Sequence, residues 1–295
     1  MGAIQSPLTI RDLSYAWSAE TRGGKAMIRL MENSTGRISL IKRARGYEDD
    51  LARGANFFDV MVARYGLTLD VVGGALGNVP RDGPLIMIAN HPYGILDGLT
   101  MGHVLSRTRP DFKIMANSVF SRAPDLQQNL LPISFEQTKE ALALNLETRR
   151  TALDYLGQGG AIGIFPGGTV STAAKPFSRP MDPNWRSFTA RMIAKSDATV
   201  VPIYFDGHTS RMFQIASHMH VTLRMGLLIK EFNKRVDTPV RVVIGKPLGR
   251  DILEPMAGDA KAMMDFLRKA TYELAPEPPE CFAAGYDFED RHRSR

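Results

Sequence analysis

The sequence predicts an α/β fold, a mainly parallel central sheet flanked by helices and preceded by a helical N-terminal extension. Two observations carry this reading. Short apolar runs alternate with longer stretches of helical periodicity, and several of the runs, such as Leu85-Ile86-Met87-Ile88-Ala89, are apolar at every position. A strand without polar positions is covered on both faces, the condition of a parallel sheet between helix layers.

Taken in order, residues before about Gly66 interleave Arg and Lys with Met, Leu, Ile and Phe, and read as helices. Strands are expected at Leu67–Val72, Leu85–Ala89, Phe112–Ala116, Ala161–Phe165, Val200–Phe205 and Val240–Ile244. Helices are expected around Gly98–Ser106, Lys139–Leu156, Arg186–Ser196, Leu223–Val236 and Asp259–Leu274. The last places Ala260, Met263, Met264, Leu267 and Ala270 along one side, an amphipathic spacing. The organisation expected is a helical extension over residues 1–66, an α/β domain over 67–275 and a Pro-rich, charged tail over 276–295. Leu223–Arg235 alternates basic and apolar residues and has two readings, a helix lying in a membrane interface or a packed helix with one solvated face.

Composition bounds the function classes. With 44% hydrophobic and 23% charged residues the chain is neither disordered nor fibrous. The single Cys281 cannot form an internal disulfide, and no Cys/His spacing suits zinc, so no metal is expected. No apolar run approaches the roughly 20 residues that cross a bilayer, and the start lacks a signal-peptide pattern. Met1-Gly2-Ala3-Ile4-Gln5-Ser6 fits the loose myristoylation pattern, whose few fixed positions carry little information. The 37 basic against 31 acidic residues give a net charge of +6, but they are scattered without a recognition motif, so nucleic acid is not an expected partner.

Chemistry is sought where strands end, because open α/β sheets gather ligands beyond the carboxyl ends of their strands. The run after Ala89 is Asn90-His91-Pro92-Tyr93-Gly94-Ile95-Leu96-Asp97-Gly98. Folded back, Asp97 would hold one nitrogen of His91 and leave the other to take a proton. Alternatively His91 is a turn residue and Asp97 a helix cap. A second strand runs into Phe165-Pro166-Gly167-Gly168-Thr169-Val170-Ser171, where glycines and hydroxyls offer donors to an anion, or simply turn the chain. Neither a phosphate-binding Lys nor a nucleophile elbow is present. A third ends in Asp206-Gly207-His208-Thr209-Ser210-Arg211, and Arg211 reads either as an anion ligand or as a surface residue.

Asn90-His91 with a nearby Asp, then Phe-Pro-x-Gly-Thr-x-Ser, then Val201-Pro202-Ile203, in that order, resembles the glycerolipid (lysophospholipid) acyltransferase family. Asn-His-Pro-Tyr-Gly-Ile-Leu-Asp-Gly and the run from Trp185 to Gln214 are similar to its bacterial branch of hemolysin-like proteins and ornithine-lipid O-acyltransferases. The resemblance covers about Leu67 to Leu248 and implies a peripheral membrane O-acyltransferase. His91 would be the general base for an acceptor hydroxyl attacking the thioester of acyl-ACP or acyl-CoA, with Asp97 steadying the imidazolium. Pro166, Gly167, Gly168, Thr169, Ser171 and Arg211 would hold the acceptor head, with no cofactor and no metal. The implied partners are a membrane lipid acceptor, the acyl carrier and an anionic membrane surface, at the cytoplasmic face of the inner membrane.

Two departures matter. Five residues separate His91 from Asp97 where the common pattern has four, a spacing the bacterial branch shares. Gly167 and Val170 stand where the family has Glu and an Arg that helps hold glycerol phosphate. Losing that charge favours an acceptor without the phosphate, such as a lyso-ornithine lipid. Arg211, Lys175 or Arg179 could still supply charge, so 1-acylglycerol-3-phosphate stays open as acceptor. So does a non-catalytic lipid-binding protein of the same fold.

Overall fold

The computed structural model describes residues 12–136 and 138–287. The Met1–Ser6 pattern and the closing basic run lie outside them. The chain opens with helices α1 (Arg22–Thr35), α2 (Arg37–Ala44), α3 (Tyr47–Ala52) and α4 (Phe57–Arg64). Thr21 and Asn56 cap α1 and α4 by accepting from Gly24 and Phe58 N–H groups. There follow β1 (Thr68–Gly74), β2 (Leu85–Ala89), α5 (Ile95–Thr108), β3 (Lys113–Asn117), β4 (Leu130–Ile133), α6 (Lys139–Gly157) and β5 (Ala161–Ile164). A short hairpin, β6 (Thr172–Ala173) and β7 (Pro180–Met181), precedes α7 (Ser187–Ile193), β8 (Thr199–Phe205), α8 (Arg211–Met219) and α9 (Val221–Asn233). The order closes with β9 (Pro239–Ile244), α10 (Arg250–Leu253) and α11 (Ala260–Glu273).

The sheet runs β1-β9-β8-β2-β5-β3-β4. Every adjacent pair is parallel except β8–β9. The mainly parallel sheet between helices is therefore the expected one. Alternate residues of β2 enter opposite layers: Leu85, Met87 and Ala89 join a core with α4, α5 and Phe232. Ile86 and Ile88 join another with Ala152 and Leu156 of α6, Met192 of α7 and Leu267 of α11. This two-sided burial is what the unbroken apolar run encodes. The N-terminal helices share the first core through Leu40, Ala44, Tyr47 and Phe58.

Three elements depart from expectation. The edge strand β4 and the hairpin β6–β7 are too short to stand out as apolar runs. Helix α8 follows a real signal, Ser210, whose hydroxyl accepts from the Phe213 N–H. Of the two readings of Leu223–Arg235, the packed helix is the observed one. Arg224, Leu227, Leu228, Ile229, Glu231 and Phe232 of α9 are all buried, so this stretch has no apolar face left for a membrane.

The α4–α5 contact sets where α5, and with it the loop before it, sits. Gly102 has no side chain because Phe58 occupies the space: a Cβ there would lie 2.1 Å from Phe58 Cδ1. Gly102→Ala is expected to lower unfolding free energy by about 1–2 kcal/mol, overpacking outweighing the helical gain from Ala. Urea denaturation checks this, and unchanged stability would mean that α4 shifts freely.

Candidate active site

The site begins at the end of β2. The Asn90 side chain donates to the Phe205 carbonyl at 3.0 Å and accepts from the Phe205 N–H at 2.7 Å. This reciprocal pair fastens the exit of β2 to that of β8. The chain then turns through Gly94, whose φ of +78° is strained for other residues. The turn carries Asp97 back under His91. Asp97 is fully buried, and its Oδ2 accepts from the Tyr93 and Gly94 N–H groups at 2.7 and 3.0 Å. The same oxygen lies 2.9 Å from His91 Nδ1. The two readings of this loop are thus both true: Asp97 caps α5 and partners the imidazole. Burial pushes the Asp97 carboxyl above the usual range, and the His91 contact and the two N–H groups pull it back.

The His91 ring stacks on Phe165, centroids 4.4 Å apart. Nδ1 is sealed against Asp97, yet the side chain keeps 18% exposure. The edge bearing Nε2 is therefore the accessible one. It opens into a cavity of ≈ 700 Å³ lined by Phe57, Met61, Leu99, Phe165, Leu228 and other apolar side chains. That is the size and character of a site for a largely apolar ligand.

Asp182 is a site residue that sequence reasoning missed. Fully buried, it accepts from the His91 N–H at 3.1 Å and from Trp185 Nε1 at 2.8 Å, and Ser171 Oγ also donates to it. The Ser171 N–H closes the ring onto the His91 carbonyl at 2.8 Å. One carboxylate thereby locks the His91 turn to the Phe165–Ser171 loop. Nothing in its spacing marks it out.

The six expected head-binding residues divide. Gly168 and Thr169 line the cavity together with Val170. The Thr169 and Val170 N–H groups meet no protein acceptor among the described residues. Pro166 and Gly167 are buried beneath the loop, and the Ser171 hydroxyl is engaged by Asp182. Arg211 is exposed in the first turn of α8, outside the cavity lining. Lys175 and Arg179 flank the exposed β6–β7 turn. The charge at the loop comes instead from Arg224 of α9, which the motifs did not reveal. Its guanidinium donates to the Val170 carbonyl at 2.9 Å, to Thr169 Oγ1 at 3.2 Å and to Thr172 Oγ1 at 2.7 Å. It also stacks 5.0 Å over the Phe213 ring and lines the cavity.

Residues 74–206 match the family model described as Acyltransferase. A lyso-glycine lipid O-acyltransferase of Phocaeicola vulgatus is 21% identical over 75% of this chain and 78% of its own. The enzyme of the same name from Bacteroides thetaiotaomicron is 25% identical over 66% of this chain and 71% of its own. Among solved structures, the 1-acyl-sn-glycerophosphate acyltransferase PlsC of Thermotoga maritima covers 90% of this chain and 87% of its own at 14% identity and a TM-score of 0.45. The family that the motifs resemble is the one returned: residues 74–206 are similar to the acyltransferase family.

Proposed function

We propose that the protein transfers an acyl group from acyl-ACP or acyl-CoA to the hydroxyl of a single-chain lipid with an amino-acid head, of the lyso-ornithine or lyso-glycine kind. The observation that carries this reading is the His91–Asp97 pair, one nitrogen held and one presented, at the wall of a long apolar cavity. Such a pair serves a hydroxyl that must lose its proton as it attacks. The acyl chain occupies the apolar cavity, and the thioester carbon meets the hydroxyl beside His91 Nε2. His91 takes the hydroxyl proton and then returns it to the departing thiolate. The amides of Thr169 and Val170, with the Arg224 charge behind them, face the acceptor's anionic head. A head ending in a carboxylate matches this single cluster of donors. The names of the curated relatives point the same way.

The membrane supplies such an acceptor. Among the described residues no helix is long and apolar enough to cross a membrane. Helix α1 and the turn before it expose Trp17, Met27 and Leu30, with Arg22 and Lys25 exposed alongside. Apolar side chains inserted among basic ones suit an anionic leaflet from one side. Because CoA and ACP thioesters are cytoplasmic, the face assigned is the cytoplasmic one.

His91→Ala is expected to fold and to bind liposomes while acyl transfer falls by about 10²–10⁴-fold; normal turnover in a purified assay would sink the mechanism. Asp97→Asn keeps an acceptor for the Tyr93 and Gly94 N–H groups but offers His91 an amide donor, which imposes the wrong tautomer. Its turnover should drop at least about 10²-fold with the fold intact. The sign of its stability effect follows from the raised carboxyl. Stability falls as pH rises from the ordinary carboxylate value, where the unfolded chain ionises, and the loss is complete once pH exceeds the raised folded-state value. The variant should therefore gain stability relative to wild type as pH rises from below the ordinary carboxylate range towards neutrality, read as melting temperatures. Purified enzyme should acylate lyso-ornithine or lyso-glycine lipid in preference to lysophosphatidic acid. The reverse preference, measured by mass spectrometry of the products, would overturn the acceptor and leave the chemistry standing.

A further inference from the structure

The segment before α1 reaches the site. The Ser14 hydroxyl and the Tyr15 N–H donate to the two oxygens of the buried Glu32 carboxylate at 2.5 and 2.6 Å. Arg37 Nε donates to the Leu13 carbonyl at 2.6 Å. These bonds use main chain and the side chains of Ser14, Glu32 and Arg37, so the Tyr15 ring is delivered without calling on its own hydroxyl. Its oxygen sits at the N-terminus of α5 and accepts from the Ile95 N–H at 3.3 Å. Gly94 makes the approach feasible, since a Cβ there would stand 2.9 Å from that oxygen. Tyr15 lines the same cavity as His91, and the N–H it accepts from belongs to Ile95, two positions before Asp97 in the chain.

A phenol so placed is a donor in waiting. Among the described residues no protein acceptor takes its proton. Burial pushes its pKa far above the ordinary value, so it stays protonated and neutral. Accepting from a helix-terminal N–H draws charge from the oxygen and strengthens the O–H as a donor.

We propose that the Tyr15 hydroxyl donates a hydrogen bond to the carbonyl oxygen of the acyl thioester, which makes the segment before α1 part of the active site. The assignment rests on the acyl-transfer reading above. As the acceptor oxygen bonds to the thioester carbon, its proton passes to His91 Nε2 and the carbonyl π pair moves onto oxygen. Tyr15 meets that oxyanion with its O–H and keeps its proton. The pair then re-forms the carbonyl, the C–S bond breaks, and the thiolate leaves with the proton from His91. Donors aimed at charge that develops only in the transition state act on kcat.

Tyr15→Phe removes one oxygen and leaves the Ile95 N–H as an ordinary first-turn amide, so the fold should hold. Expected is a kcat lower by about 10²-fold, with donor and acceptor KM within about two-fold and the melting temperature unchanged. Replacing Tyr15 by 3,5-difluorotyrosine, of similar shape but more acidic, should restore most of the rate, which a structural role would not require. Full activity of Tyr15→Phe beside an inert His91→Ala would overturn this assignment alone. So would a raised acceptor KM at unchanged kcat, or a rate loss that only accompanies a loss of stability. An active His91→Ala would overturn the wider reading instead.

Discussion

A single oxygen, Oδ2 of Asp97, organises the site. Fully buried, it takes the N–H groups of Tyr93 and Gly94 and stands 2.9 Å from His91 Nδ1. A lone buried carboxylate is costly by several kcal/mol, and only donors converging on it offset that cost. The loop has therefore little freedom. It must turn tightly enough for two successive N–H groups to face one atom, and Gly94 at φ +78° permits that turn. The same capping starts α5, so helix geometry and imidazole orientation are set by one group. A change that loosens α5 loosens the base.

Around this centre a second carboxylate does for the loops what Asp97 does for the turn. Asp182 holds the His91 N–H, the Ser171 hydroxyl and the Trp185 indole. Its main chain is held in turn by the Tyr272 hydroxyl and the Arg268 guanidinium, both from α11. The His91 turn is thus tied through Asp182 to α11, far away in sequence. The alternating placement of β2 residues into two cores makes the strand beneath it rigid from both sides. Rigid support on both sides suits the role proposed for His91, because proton transfer tolerates little misplacement.

How much of this was legible in sequence depends on whether the determining contact is local. The unbroken run Leu85–Ala89 announces a doubly covered strand, and its flanks place His91 and Asp97 at a strand end. These inferences need only neighbours in the chain. The pairing of His91 with Asp97 is likewise a matter of one short loop, although sequence posed capping and pairing as rivals when one oxygen does both. Asp182 is invisible because its partners, His91 and Tyr272, lie 91 and 90 residues away. Tyr15 reaches Ile95 across 80 residues, from a segment that periodicity describes only as helical. Arg211 illustrates the opposite failure. It stands beside a motif in sequence, yet Ser210 caps a helix there and the arginine is left exposed.

The charge at the Phe165–Ser171 loop shows why motif reading and substrate reading can part company. Position 170 carries Val where the resembled family has Arg, and by that comparison the loop has lost its cation. In three dimensions a guanidinium is present at the same backbone. Arg224 enters from α9 and bonds the Val170 carbonyl and the Thr169 hydroxyl. The difference lies in what the cation still has to offer. An arginine projecting from the loop presents its donor fork to a ligand, which suits a phosphate. Arg224 instead directs donors at Thr169, Val170, Thr172 and Ser217 and is buried beneath them. In the proposed function it would act on a ligand through its field and by shaping the loop, while the ligand itself would meet neutral amides. The proposed acceptor fits this arrangement, because an amino-acid carboxylate carries one negative charge and does not require the multiple donors of a phosphate clamp.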